Sequence, residues 1–101
     1  MTTQPDTIEL ARQEGESFRS ILLACTPEGG LDLSAQDMGP AVRALHDDGD
    51  YEFGIRIAPE HLAAFAVALI RTHYQGDLDA VTKLRTLAET NGIPANFWTW
   101  S

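Results

Sequence analysis

Cysteine and positive charge are what this chain has least of: one Cys, and seven Lys or Arg against fifteen Asp or Glu in 101 residues, for a formal charge of −8. A lone Cys25 closes no internal disulfide, which fits a reducing compartment and predicts a cytoplasmic protein. Basic residues this few and this scattered exclude nucleic-acid binding by phosphate neutralisation, which needs clustered Lys and Arg. The longest apolar run, Leu62 to Ile70, falls far short of the roughly 20 residues that cross a bilayer, so no membrane partner is expected. Met1 to Asp6 is polar, with no basic segment ahead of an apolar core, and does not read as a secretion signal. No Gly-x-Ser-x-Gly elbow, phosphate-cradling glycine loop or Cys-x-x-Cys pair occurs. The expectation is therefore a protein that is not an enzyme, with no catalytic residue, cofactor or metal.

What is present suits a folded chain: 44% hydrophobic and 22% charged residues predict one domain over residues 1–101, with residues 1–5 disordered. Tyr51, Phe53, Ile55 and Ile57 alternate with Glu52, Gly54 and Arg56, the two-residue repeat of a strand with one wet and one buried face. Beyond Ala58 the pattern changes. Pro59 and Glu60 suit a helix's first turn, Arg71 and His73 its last, and the apolar run between them predicts a central helix over 59–75 contacted on several sides.

Asp6-Thr7-Ile8-Glu9 has capping-box spacing and predicts a first helix to about Cys25. Ile8, Ala11, Phe18, Leu22 and Cys25 form its apolar face and Gly15 interrupts it. Thr26 to Gly30 ends it, and Leu31-Asp32-Leu33 follows as a short edge strand. Ser34 and Asp37 offer a second helix start, for a short helix from about Gly39 to Asp47 that buries Met38, Val42 and Leu45. Gly76 ends the central helix and Asp77 caps a further one, which buries Leu78, Val81, Leu84 and Leu87 or Ala88 and sets Asp79 against Lys83. Asn91-Gly92-Ile93-Pro94 stops it. The predicted fold class is mainly α: about four helices packed around the central apolar helix (59–75), with a small β element that includes residues 51–57.

His61 and His73 lie about 18 Å apart along the predicted helix, at 1.5 Å per residue, and cannot share a metal ion. His46-Asp47-Asp48-Gly49-Asp50-Tyr51-Glu52 concentrates carboxylates but lacks the ligand spacing of a calcium loop, and turn chemistry accounts for it. Cys25, at a helix C-terminus, is expected to be buried and unreactive. The corner Gln75-Gly76-Asp77 between two helices has no basic face to read DNA with.

The segment His73-Tyr74-Gln75-Gly76-Asp77-Leu78-Asp79-Ala80 resembles the inhibitory segment of the barstar family, acidic intracellular ribonuclease inhibitors with a Tyr-Gly-rich turn before Leu-Asp-Ala at a helix start. The resemblance covers this corner alone, with the glycine displaced and Lys83 where the family carries an acid. It implies an inhibitor built on a parallel sheet.

Large aromatics are the residues most enriched at interface hot spots, and an acidic surface attracts a basic partner. The expected function is a non-enzymatic acidic protein-binding module, such as an inhibitor, immunity-type protein or adaptor for a larger and more basic protein. The partner-binding candidates are Tyr51, Phe53, Asp47, Asp48, Asp50, Phe97, Trp98 and Trp100. The aromatic tail packs on the chain's own core or serves the interface, and strand 51–57 offers a seam for a homodimer. The alternatives are a phage or plasmid anti-defence protein that mimics nucleic acid, and a small enzyme or enzyme subunit that uses the acidic turn 46–52.

Overall fold

A computed structural model describes residues 7–39 and 50–100, and the chain forms two compact units, Met1–Ala66 and Val67–Ser101. The first is built on an antiparallel sheet of four strands: β1 (Ile8–Gln13), β2 (Phe18–Cys25), β3 (Leu31–Met38) and β4 (Asp50–Ile57). Their order in space is their order in sequence, so β1 and β4 are the edges among the described strands. Thr26 makes the tight link between β2 and β3: its N–H donates to the Gly30 carbonyl at 3.0 Å and its Oγ1 accepts from the Gly30 N–H at 2.9 Å.

This sheet overturns the mainly α expectation. The predicted first helix over Ile8 to Cys25 is β1 and β2, and the reason lies in a bulge. Leu10 is an extra residue between Glu9 and Ala11, so Ile8 pairs with Leu23 and Ala11 with Ile21, both on the same face of the sheet. A spacing of three on one face is a helix signal, and here a bulged strand produces it. Glu9 is no capping residue, because its carboxylate accepts from Arg12 and from Ser20 Oγ at 2.8 Å.

Leu31-Asp32-Leu33 is a strand as expected, but it is interior and runs on to Met38. Ser34 and Asp37 therefore lie within β3 instead of opening a helix. The rest of that expected helix, residues 40–47, lies outside the described residues, as do residues 1–5. Strand 51–57 is observed as β4, with β3 as its partner. The all-antiparallel order leaves no place among the described strands for the parallel sheet that the barstar resemblance implies.

A 3₁₀ turn (Pro59–His61) leads into α1 (Leu62–Tyr74), whose residues belong to both units. Pro59 opens the 3₁₀ turn ahead of α1, and Arg71 and His73 stand in the last turn of α1, as the sequence predicts. α1 is not a packed central helix, because no residue of it is buried and Val67, Leu69 and Ile70 are exposed.

In the second unit, α2 (Ala80–Thr90) ends in a Schellman motif. The Ile93 N–H donates to the Ala88 carbonyl at 2.8 Å and the Gly92 N–H to that of Glu89 at 3.2 Å. Gly92 takes φ +66, where a side chain would be strained. Asp77 caps the entry from outside α2, accepting the Asp79 N–H at 2.8 Å, and it is Asp77, not the expected Asp79, that pairs with Lys83, at 2.7 Å. Of the residues expected to be buried here, Leu84 and Ala88 are half-buried while Leu78, Val81 and Leu87 are exposed. No helix among the described residues is long and apolar enough to cross a membrane.

Candidate functional site

Antiparallel pairing brings residues directly opposite each other onto one face, so the register assigns every side chain to a side. One face carries the row Ile8–Leu23–Leu33–Ile55, then Ala11–Ile21–Ala35–Phe53, with Leu31 between Cys25 and Ile57. The other carries Glu9–Leu22–Ser34–Gly54, Arg12–Ser20–Gln36–Glu52 and Ala24–Asp32–Arg56. The first face is apolar and the second polar.

The apolar face is not a closed core. Ala35 is buried at its centre, yet Ile8, Phe53 and Ile55 are 55%, 45% and 52% exposed. Among the described residues of this unit, extensive contact is confined to neighbouring strands. A shallow hollow of about 290 Å³ lies over the face, lined by Ile21, Leu33, Ala35, Phe53 and Ile55 with Arg19 at its border. Apolar surface left in water forgoes roughly 25 cal/mol for each Å² it could bury, which is why such a patch marks an interaction site.

One ion pair interrupts this face. Arg19 and Asp37 stand opposite each other on β2 and β3, and the guanidinium grips the carboxylate through both Nε and a terminal nitrogen. Hydrogen bonding to Arg19 holds the Asp37 carboxyl below its ordinary pKa, and the same bonds raise that of Arg19. The Arg19 guanidinium also lies 5.6 Å from the Phe53 ring centre. Asp37 is nine-tenths buried, and among the described residues it is Arg19 that satisfies its carboxylate.

The expected site residues fall into separate groups. Tyr51 and Phe53 share the apolar face of β4, their ring centres 5.4 Å apart. Asp50 opens β4 opposite Met38, and Asp47 and Asp48 lie outside the described residues. Phe97 and Trp98 belong to the second unit, where they line a hollow of about 460 Å³ with Val81, Leu84, Arg85 and Ala95. Arg85 stacks on Phe97 at 4.0 Å from its ring centre, so the tail packs back on α2 in part. Trp98 and Trp100 remain 79% and 92% exposed.

Sequence reasoning missed Ile21, Leu23 and Arg19 because it placed the first two strands in a helix, and Asp37 because it read that residue as part of a second helix start. The available signal was Phe18 to Leu23 bounded by Glu14-Gly15-Glu16 and Thr26-Pro27, a strand-length run between turn residues. Cys25, expected to be buried at a helix end, is exposed at the end of β2. Among the described residues no three His, Cys, Asp or Glu converge on a point that would hold a metal ion. Compared with protein-family models, curated proteins and solved structures, the chain matches none.

Proposed function

We propose that the chain is a non-enzymatic, acidic protein-binding module that presents the apolar face of its sheet to a larger protein. One observation carries this reading: the face that a closed domain would bury has Ile8, Phe53 and Ile55 about half exposed. The Arg19–Asp37 pair at its border suits the role, since an oriented charge pair fixes how an apolar patch is approached. The net charge of −8 favours a partner with a basic rim, whose association slows as salt screens it. The single unpaired Cys25 accords with a cytoplasmic setting. The mimicry reading draws on Asp47, Asp48 and Asp50 and the acidic-turn reading on Asp50, Glu52 and His46; His46, Asp47 and Asp48 lie outside the described residues, and no observation on the others favours either.

The test is capture from a native lysate by the immobilised chain and by its Ile55→Asp variant. Stoichiometric capture by the wild type that is lost in a variant of unchanged circular dichroism is the expected result. Equal capture by the two chains overturns the assignment.

A further inference from the structure

The two edges of the sheet are built differently. β1 carries the Leu10 bulge and the charged pair Glu9 and Arg12, with Glu14 just beyond its end also paired to Arg12, and both features discourage a further strand. β4 pairs with β3 in unbroken register over eight residues. Among the described residues the backbone of Glu52–Ile57 bonds only to β3, and none of them pairs with the other side of that segment.

We propose that β4 pairs along this edge with β4 of a second copy, antiparallel about a two-fold axis at Gly54. An axis on a residue, not between two, keeps residues of the same face opposite each other, so the apolar sides of both sheets join into one surface. With the axis at Gly54, Phe53 faces Ile55 of the second copy, an aromatic and β-branched pair, and the row Leu33–Ile55 continues into Phe53 and Ala35 of that copy. Glu52 faces Arg56 of the second copy, and by symmetry Arg56 faces its Glu52. The strand is thus charge-complementary to itself, although the chain as a whole repels its copy. Arg56 is available for this: it reaches Asp32 through one contact at 3.2 Å while its side chain stays 80% exposed. Glycine on the axis means that no pair of side chains meets there. An axis at Phe53 would instead set Glu52 opposite Gly54 and Arg56 opposite Asp50, and the two arrangements respond differently to substitution.

Sedimentation of the full chain at roughly 0.15 M salt, where long-range repulsion is screened, tests this. The wild type is expected at twice 11.1 kDa. Glu52→Arg alone and Arg56→Glu alone each set like charges opposite one another twice and weaken dimerisation about tenfold or more. An equal mixture of the two variants restores the dimer, since every facing pair then has opposite sign. The double variant E52R/R56E restores it as well. Circular dichroism confirms that each variant is folded. A wild-type monomer overturns the proposal, and so do a dimer indifferent to Glu52→Arg and a mixture that stays monomeric. None of these outcomes depends on which protein the apolar face binds.

Discussion

The two faces of one sheet use the same strands to opposite ends. On the polar side Glu9 is held by Arg12 and by the buried Ser20, and Asp32 by Arg56. Hydrogen bonds from Arg12, then from Ser20, bring the Glu9 carboxyl below its ordinary value. On the apolar side only Ala35 and the Arg19–Asp37 pair are finished in this way, while the large side chains around them stay half exposed. Leu22 and Leu23 are adjacent in sequence and both half-buried, yet they belong to different faces. The apolar face has the composition of a core and the exposure of an interface, and the proposed function rests on that difference.

The largest stability effect is expected on the finished side. A Cβ added at Gly54 would meet the Leu33 carbonyl oxygen at 2.5 Å and Ser34 Cα at 3.0 Å, both backbone, so Gly54→Val forces β3 and β4 apart. Thermal or denaturant unfolding is predicted to show a loss of about 2–3 kcal/mol. Phe53→Ala, its neighbour on the other face, sharpens the contrast. A fully buried Phe costs about 3–5 kcal/mol when truncated, and one left nearly half exposed should cost about 1–2 kcal/mol while removing most of the binding. Ser20→Ala, which removes one buried hydrogen bond to Glu9, should cost about 1 kcal/mol and leave binding intact.

The smallest effect is in pH. Glu9 and Asp37 titrate below their ordinary values of 4.5 and 3.8 because the folded state stabilises their charged forms. Their contribution is complete above those values and is lost as pH falls through the lower, folded ones. The melting temperature should therefore be flat from neutrality to about pH 5 and decline below about pH 4. Arg19→Met should make the decline shallower by removing the part due to Asp37. A decline unchanged in that variant would show that the pair on the apolar face does not contribute.

The second half of the chain was legible because its signals are local. Pro59 in an opening turn, Gly92 at a left-handed position and the alternation from Tyr51 to Ile57 each depend on a few neighbouring residues, and α1, α2 and β4 lie where these placed them. The first half was not, because what decides it is distant in sequence. Leu10 bulges only in relation to Leu22 and Ile21 across the ladder, and the bulge gives Ile8 and Ala11 the spacing of a helix. Asp37 on an apolar face contradicts any local pattern until Arg19, eighteen residues earlier, is seen opposite it. Of the candidate site, Tyr51 and Phe53 were found by alternation. Ile21, Leu23 and Arg19 join them only through pairing with a strand that the sequence had hidden.

The most direct test of the central claim follows the methyl signals of the two adjacent leucines while a captured partner is titrated in. Leu23, together with Leu33 and Ile55, is predicted to shift or broaden while Leu22, one residue away on the polar face, stays in place. Perturbation of Leu22 with Leu23, Leu33 and Ile55 unmoved would contradict the account.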